Sequence, residues 1–369
     1  MNAAIRAVVR TAVFHDMEVL GVFQGYHGLI EGDFKRLHVR SVAKILGRGG
    51  TILKSARCMD FHDVEGRKRA HINLVEANID GLVVIGGNGT FTGAMKFGRE
   101  TGFPVVGLPG TIDNDLSGSD STIGFDTAIN TVIDAVDKIR DTADSHNRLF
   151  FVEVMGRDSG FIALKSGIAT GAVAVMTPEM GMSIDDLVAV LQAGEQSNKT
   201  SSIVIVAEGD PNGGAYEIAK RVKEKTDTYE TRITVLGHLQ RGGSPSCFDR
   251  VLASRLGVAA VEALRQGHND VMAGVIGDKI ELTPFEIAIS TKSRINDDEV
   301  RKLDRQRVFS LCTCKLHAKP ACVWVLLLHH DAVLAVQLLP SSTCQARNLH
   351  PRAHHRHQSR QLPVPRGAR

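Results

Sequence analysis

Two carboxylates stand two residues apart in the run PGTIDND, residues 109–115, where Asp113 and Asp115 accompany the hydroxyl of Thr111 and the amide of Asn114. Oxygen ligands of this kind hold hard metal cations, and an aspartate can also take a proton from a reacting hydroxyl. The structural alternative is a turn whose Asx side chains bond their own backbone. Because the run follows a predicted strand, we favour the metal- and proton-binding interpretation.

The run GGNGT, residues 86–90, lies between a predicted strand and a predicted helix. Its glycines leave backbone N–H groups open to phosphate oxygens, although glycine-rich turns after strands are common and the signal alone is weak. Five arginines beside strand ends or glycine turns indicate a polyanionic substrate, because guanidinium groups match phosphate oxygens in pairs. They are Arg57, Arg148, Arg157, Arg232 and Arg241. His238, near Arg241, is either a structural histidine or a further substrate contact.

The elements that must position these residues are predicted from periodicity. Short β-branched runs alternate with helical patterns, which predicts an α/β fold with a parallel sheet. The predicted strands are Val19–Phe23, Leu82–Ile85, Val105–Leu108, Leu149–Met155, Ile203–Ala207 and Ile233–Leu236. The predicted helices are Asn2–His15, Ser41–Leu46, Thr127–Arg140 and one that starts near Thr92. Glycines and polar residues follow strand after strand, so we expect one composite site at the carboxyl edge of the sheet.

The composition of the 369 residues, 43% hydrophobic and 23% charged, excludes a wholly disordered protein. Six cysteines in a chain of this length do not form a disulfide framework, and the N-terminal run lacks a secretory signal pattern, so we expect a cytoplasmic protein. The longest apolar run, Ala321–Pro340, is interrupted by His329, His330 and Asp331, so we expect no membrane span. We expect neither a nucleic acid nor a membrane as partner.

Charge divides the chain into a body and a tail. Residues 1–307 carry 36 basic and 40 acidic residues, whereas residues 308–369 carry eight basic residues, one acidic residue and seven of the 15 histidines. Cys312 and Cys314 with these histidines match no four-ligand zinc spacing. We predict that 308–369 is a disordered basic tail, whose composition is typical of foreign or out-of-frame sequence.

Nine short runs, in order, carry a resemblance to a known family. Over about residues 1–290 the chain resembles the bacterial-type 6-phosphofructokinases, through the runs MNAAIR, QGYHGL, GRGGTILKSAR, VVIGGNGT, GLPGTIDND, TIGFDTA, VEVMGR, AEG and VLGHLQRGGSP. The resemblance implies two similar three-layer α/β lobes with mostly parallel sheets and an active site in the cleft between them. It places the nucleotide-binding lobe at 1–124 plus 237–287 and the sugar-phosphate lobe at 125–236 plus 288–307.

The resemblance implies phosphoryl transfer from ATP to the 1-hydroxyl of fructose 6-phosphate, with Mg²⁺, in glycolysis. Asp113 matches the base that takes the hydroxyl proton, Thr111 a hydrogen-bond donor to the transition state, and Arg157 an arginine near the transferring phosphoryl group. Asp115 matches a residue that orders the base and the metal. Asn88 stands at a magnesium-associated position where most members have aspartate, and we expect the amide to lower metal affinity.

The remaining contacts are implied in the same way. The sugar-phosphate contacts are Arg148, Met155, Gly156, Glu208, Arg232, His238 and Arg241. Two of these arginines, Arg148 and Arg232, match residues that reach the phosphate of a neighbouring subunit, so we expect a homo-oligomer, in the family a tetramer. The ATP contacts are Tyr26, Arg57, Cys58, Gly87, Asn88, Gly89 and Thr90. A basic effector site between subunits is matched by Arg6, Arg10, Arg140 and Lys199, whereas Val39 and Val173 replace an arginine and a metal-holding glutamate.

Gly89 and Gly110 favour ATP over pyrophosphate as the phosphoryl donor. Pyrophosphate-dependent members carry aspartate and lysine at these positions, whereas glycine leaves space for the α-phosphate and adenosine.

In the family, an opening strand and a Ser-Gly-Gly-Asp phosphate loop precede the segment that is equivalent to Met1. It therefore stays open whether Met1 is the true start, and we expect the chain as written to fold poorly or turn over slowly. Three other interpretations stay open: a pyrophosphate-dependent enzyme, a non-catalytic phosphate-ligand-binding or assembly protein, and a defective gene product.

Overall fold

Helices and strands alternate through most of the computed structural model, which describes residues 1–143, 148–196 and 202–290, Ile295, and two residue pairs near the C-terminus. The first part of the chain forms α1 (Asn2–Phe14), β1 (Val19–Val22), α2 (Tyr26–Glu31), β2 (Phe34–Leu37), a 3₁₀ turn (Asp60–His62), α3 (Val64–Glu76), β3 (Leu82–Gly86), α4 (Asn88–Thr101) and β4 (Val105–Pro109). The second part forms α5 (Phe125–Ala143), β5 (Arg148–Val154), α6 (Phe161–Thr170), β6 (Ala174–Met176), α7 (Ile184–Gln196), β7 (Ser202–Ala207), α8 (Ala215–Lys225), β8 (Glu230–Val235), a second 3₁₀ turn (Gly237–Arg241), α9 (Cys247–Arg265), β9 (Val271–Ile276), β10 (Lys279–Pro284) and α10 (Phe285–Ser290).

Three parallel strands and one antiparallel edge strand form the first large sheet, in the order β10-β9-β4-β3. Successive residues of a strand point to opposite faces, and in β4 Val105 packs with Phe91 of α4 and Phe285 of α10. Its neighbour Val106, with Leu108, packs against α1 and α9 on the other face. Helices on both sides therefore explain why every residue of β4 is buried.

The second large sheet is entirely parallel, in the order β6-β7-β5-β8. In β5, Val152 and Val154 belong to the core formed with α5 and α6, whereas Leu149 and Phe151 belong to the core formed with α7 and α8. The strands β1 and β2 form a separate two-stranded antiparallel ladder. The predicted fold class, three-layer α/β with mostly parallel sheets, is confirmed, while the predicted lobe boundaries stay a prediction.

Most predicted elements are present within three residues at each end, but the predicted helix Ser41–Leu46 is wrong. These residues form turns, and Lys44 adopts a left-handed backbone with φ +60°. Val42 and Ile45 are buried three residues apart, which produced the helical pattern. A residue in the left-handed region cannot continue a right-handed helix, so Lys44 interrupts the i→i−4 hydrogen bonds that a helix over Ser41–Leu46 would need.

Helix α4 begins at Asn88, four residues before the predicted start near Thr92. Gly87 is the extended N-cap residue, and the N–H of Phe91 donates to the carbonyl oxygen of Gly87 at 3.1 Å. Residues 88–90 are therefore the first helical turn and not a loop. Their N–H groups have no acceptor within the helix.

Contacts divide the chain into two units, Met1–Thr313 and Cys314–Arg369. Of the second unit the structure describes two short antiparallel strands, with Val325 opposite Val336 and Leu326 opposite Ala335. The rest of the predicted tail 308–369, with Cys312 and Cys314, lies outside the described residues. Among the helices that the structure describes, none combines the length and the apolar character needed to cross a bilayer.

The packing of α1 on α9 predicts that Gly257→Ala destabilises the fold. A Cβ at Gly257 would lie 2.6 Å from Cβ of Ala7 and 3.0 Å from the carbonyl oxygen of Ala4, whereas a Cβ at Gly194 in α7 would meet no heavy atom within 4 Å. Relative to the matched control Gly194→Ala, we expect Gly257→Ala to lower the free energy of unfolding in urea by about 1–3 kcal/mol. Equal effects of the two substitutions would contradict this packing.

Candidate active site

A cleft of about 710 Å³ opens where the carboxyl ends of β3 and β4 meet the turn after β5 and the Gly237–Arg241 turn. Its position agrees with the composite site predicted at the carboxyl edge of the sheets. Twelve sequence-predicted site residues line it: Tyr26, Arg57, Cys58, Gly87, Asn88, Gly89, Thr90, Thr111, Asp113, Asp115, Arg157 and Arg241.

Asp113 lies in the turn after β4, and its side chain is 9% exposed. The N–H of Asp113 donates to Oγ1 of Thr111 at 3.1 Å, and Asn114 adopts a left-handed backbone with φ +52° that turns the chain. Asn114 is further held because its Oδ1 accepts from the N–H of Thr122 at 2.8 Å. The turn therefore presents the carboxylate of Asp113 to the cleft from a rigid backbone.

Burial raises the pKa of Asp113 above the ordinary range for an aspartate, and the like charge of Asp115 raises it further. Arg157 and Arg241 act in the opposite direction, with Nε of Arg157 lying 3.7 Å from Oδ2 of Asp113. A carboxylate of raised pKa holds a proton more readily than a solvated one. Such a group is suited to take a proton from a reacting hydroxyl.

Asn88 and Asp115 join the first turn of α4 to the turn after β4. Nδ2 of Asn88 donates to Oδ2 of Asp115 at 2.6 Å. In the part of the chain that the structure describes, no three His, Cys, Asp or Glu side chains form a group that could hold a metal ion. Asn88 and Asp115 together offer one amide oxygen and a carboxylate, a donor set that fits Mg²⁺, which takes its other ligands from phosphates and water.

The N-terminus of α4 provides a second element for anion binding. The N–H groups of residues 88–90 have no acceptor within the helix, and the positive end of the helix dipole favours negative charge there. A Cβ at Gly89 would meet no heavy atom within 4 Å, so the space above this turn is open. Phosphate oxygens can therefore approach the backbone closely.

Side-chain oxygens of Glu208 and Gln240 accept hydrogen bonds from the backbone of the turn that carries Arg157. Oε1 of Glu208 accepts from the N–H of Gly156 at 3.2 Å and from the N–H of Arg157 at 2.8 Å, and Oε1 of Gln240 accepts from the N–H of Met155 at 3.2 Å. Gly156 has φ +145°, which favours glycine. Of the residues predicted here, Arg157 lines the cleft, whereas Met155, Gly156 and Glu208 are not among the residues that line it.

Arg148 and Arg232 lie away from this cleft. Arg148 is the first residue of β5, and at roughly 3.3 Å per residue it lies about 20 Å from the carboxyl end of that strand. Both arginines pair with Glu230, Arg148 through Nε to Oε2 at 2.8 Å. Hydrogen bonding to Arg148, followed by the charges of both arginines, lowers the pKa of Glu230. The structure therefore places Arg148 at the amino end of β5 and Arg232 within the neighbouring strand β8, opposite Phe150.

His238 and Arg241 occupy the same 3₁₀ turn but face differently. Arg241 lines the cleft and is close enough to Asp113 to lower its pKa. His238 is exposed and is not among the cleft-lining residues. The choice for His238 between a structural histidine and a substrate contact stays open.

Tyr26 and the segment around Arg57 form another side of the cleft. The ring of Tyr26 stacks on Phe61 with centroids 3.9 Å apart, and its hydroxyl donates to the carbonyl oxygen of Thr90 at 2.5 Å. Burial raises the pKa of Tyr26, which keeps the hydroxyl a donor. Arg57 is exposed and Cys58 half-buried at the rim.

The predicted effector residues do not line the cleft. Arg6 and Arg10 lie on α1, and Arg140 near the end of α5 donates to the carbonyl oxygen of Thr170. Lys199 lies outside the described residues. Val39 is exposed, whereas Val173 is buried in the core of the second sheet.

Sequence reasoning missed two buried polar residues that shape the cleft. Asp249 of α9 is 2% exposed and accepts from the N–H groups of Gly124 and Thr127, each at 2.8 Å, and from the Thr127 hydroxyl. Asn2 of α1 donates to the carbonyl oxygens of Arg48 and Gly49 and so shapes a glycine-rich wall of the cleft. Asn2 lies in the run MNAAIR and Asp249 lies in α9. The hydrogen-bond partners of these side chains are at least 46 residues away in sequence, so no local sequence pattern indicates these contacts.

A buried carboxylate, a helix N-terminus and two arginines line one cleft of this α/β protein, an arrangement that is suited to binding phosphate groups. A family model described as Phosphofructokinase matches residues 1–264. The ATP-dependent 6-phosphofructokinase 2 of Bacteroides thetaiotaomicron is 52% identical to the chain over 303 residues, which cover 82% of this chain and 93% of that protein.

Two solved structures are similar in fold. A phosphofructokinase from Saccharomyces cerevisiae is 35% identical with a TM-score of 0.75, and the match covers 83% of this chain and 45% of that one. A pyrophosphate-dependent phosphofructokinase from Nitrosospira multiformis, with a TM-score of 0.71 over 83% of this chain and 88% of its own, is 20% identical and shares the fold alone. The chain belongs to the phosphofructokinase family.

The raised pKa of Asp113 predicts how stability responds to Asp113→Asn. Because the pKa in the folded state lies above the unfolded value of 3.8, the parent loses stability as pH rises from about 3.8 through the raised pKa. The asparagine carries no such charge. We therefore expect Asp113→Asn to be more stable than the parent at pH 7.5 and to lose this advantage near pH 4, as measured by denaturant unfolding. A variant that is less stable than the parent at pH 7.5 would contradict the pKa direction.

Proposed function

We propose that this chain transfers the γ-phosphoryl group of ATP to the 1-hydroxyl of fructose 6-phosphate, giving fructose 1,6-bisphosphate in glycolysis. The observation that carries the proposal is the buried Asp113 carboxylate, which faces a cleft shared with the α4 N-terminus, Arg157 and Arg241. The 52% identity to an ATP-dependent 6-phosphofructokinase over most of both chains supports the same activity.

Phosphoryl transfer depends chiefly on alignment and charge neutralisation. The C1 oxygen of the sugar forms a bond to the γ-phosphorus while the bond from that phosphorus to the bridging oxygen breaks and ADP leaves. Asp113 takes the proton of the hydroxyl, and its raised pKa makes the transfer more favourable. Arg157 and the hydroxyl of Thr111 stabilise negative charge on the transferring group.

Mg²⁺ belongs to the proposal because Asn88 and Asp115 provide oxygen donors at the cleft. Bound there with ATP, the ion would neutralise phosphate charge. The single carboxylate and the neutral amide attract a cation less strongly than two carboxylates would.

Further features of the proposal come from the resemblance. Arg148, at the amino end of β5, and Arg232, within β8, would reach the sugar 6-phosphate of a neighbouring subunit in a homotetramer. The lobes would be 1–124 plus 237–287 and 125–236 plus 288–307, in a cytoplasmic enzyme. Effector binding is proposed at Arg6, Arg10, Arg140 and Lys199. The buried Val173, which replaces a metal-holding glutamate, provides no metal ligand there.

ATP is the proposed donor because of two glycines. The space at Gly89 is open, so an α-phosphate and nucleoside can extend past the α4 N-terminus. At Gly110 a Cβ would lie 2.9 Å from Cγ2 of Ile85 and 3.2 Å from the backbone nitrogen of Gly86, so a lysine there would require these neighbours to move.

Replacement of the base tests the activity. We expect Asp113→Ser to lower kcat by about 10²–10⁴-fold while fructose 6-phosphate binding, measured by calorimetry, stays within threefold of the parent. Asp134→Ser, on the exposed face of α5, is the matched control and should leave kcat unchanged. Unchanged kcat in Asp113→Ser would overturn the proposed mechanism, and sugar-phosphate binding by a parent without turnover would indicate a non-catalytic binding protein.

Charge at Gly89 tests the donor. Gly89→Asp places a carboxylate beside the bound phosphates, and we expect the KM for ATP to rise by at least tenfold, about 1.4 kcal/mol. Gly89→Asn, which has the same size without the charge, should change this KM much less, and both variants should keep the KM for fructose 6-phosphate. Equal KM values for ATP in the two variants would show that charge at this turn does not determine the preference for ATP as the phosphoryl donor.

A further inference from the structure

Two turns from different sheets meet at the cleft. Asp113 follows β4 of the first sheet, whereas Arg157 and Ser159 follow β5 of the second. The hydroxyl of Ser159 donates to the main-chain carbonyl oxygen of Asp113 at 2.9 Å. Ser159 is 6% exposed, so this bond is shielded from competition by water.

The orientation of the hydroxyl is set by its own turn. The N–H of Ser159 donates to the carbonyl oxygen of Gly156 at 2.9 Å, and the N–H of Phe161 lies 3.4 Å from Oγ of Ser159. A hydroxyl has one proton to donate. With its oxygen facing Phe161, that proton points to the carbonyl of Asp113.

The same two turns are also joined by Arg157 and Asp113, but this contact is weaker. Nε of Arg157 is 3.7 Å from Oδ2 of Asp113, and the Arg157 side chain is 67% exposed. Ion pairs of such exposure add little to the free energy of folding, because water screens them. Of these two contacts, the hydrogen bond from Ser159 is the buried one. It holds the main chain of Asp113, whereas the ion pair joins two side chains.

The turn around Ser159 is itself anchored to the second sheet. Glu208 accepts from the N–H of Arg157 at 2.8 Å, and Glu179 accepts from the N–H of Gly160 at 2.9 Å. A Cβ at Gly160 would lie 2.4 Å from Cβ of Thr177, so the turn packs closely against the strand end. Ser159 therefore transmits the position of a rigid turn to Asp113.

We propose that Ser159 is a positioning residue for phosphoryl transfer, whose hydroxyl sets the distance between the base Asp113 and Arg157. This inference rests on the function proposed above. Reaction rates depend steeply on such distances, and a displacement of about 1 Å can cost a factor of about 10². Ser159 contacts the main chain of Asp113 and no reacting atom.

The test compares Ser159→Ala with Ser166→Ala. Ser166 in α6 is 0% exposed, and its hydroxyl donates to the carbonyl oxygen of Ile162 at 2.7 Å, so both variants remove one buried hydroxyl–carbonyl bond. We expect Ser159→Ala to lower kcat by about 10- to 100-fold with both KM values within twofold, and Ser166→Ala to keep kcat within twofold. Ser159→Cys, which retains a weak donor, should give an intermediate kcat. Similar losses of kcat in the two alanine variants would overturn the proposal.

Hydrogen exchange separates this inference from the proposed function. In Ser159→Ala, amide exchange within residues 113–115 and 156–161 should become at least about tenfold faster than in Ser166→Ala, because the tie between the turns is lost. This readout needs no turnover, so it tests the tie even if the parent lacks the proposed activity. Unchanged exchange in both segments would overturn the positioning role.

Discussion

The burial of the Asp113 carboxylate sets the demands on the rest of the cleft. A carboxylate that is 9% exposed and close to Asp115 is costly to ionise, and its pKa rises accordingly. Two cations, Arg157 and Arg241, lower this pKa, but it remains above the ordinary value for an aspartate. The fold gives up stability here for a group that can accept a proton, and the stability must come from the two buried sheets around it.

The second constraint is alignment between two sheets. Hydrogen bonds to the backbone hold the turn after β4 and the turn after β5 separately. Side-chain hydrogen bonds then connect these regions to each other and to the helices. Ser159 bonds the carbonyl of Asp113, and Asp249 of α9 holds the start of α5 through Gly124 and Thr127. A site assembled from several loops needs such ties, because each loop alone could shift by more than the chemistry tolerates.

Local patterns predicted much of the fold and the centre of the site. The alternation of β-branched and helical runs gave the parallel sheets, and the motifs at strand ends gave the residues around Asp113, because parallel strands bring their carboxyl ends to one edge. Periodicity failed where a segment was short, as at Ser41–Leu46, or where a helix begins with polar residues, as at Asn88. The roles of Asp249 and Ser159 depend on partners 122 and 46 residues away, and no local rule reports such contacts.

The most direct test of the account is the pH dependence of kcat at saturating ATP and fructose 6-phosphate, for the parent and Arg157→Gln. With Asp113 as the base, kcat should fall on the acid side as Asp113 takes up a proton. Because Arg157 lowers the pKa of Asp113, its removal should move that fall to higher pH. An acid limb that stays in place or moves to lower pH in Arg157→Gln would contradict the assignment of Asp113 as the base.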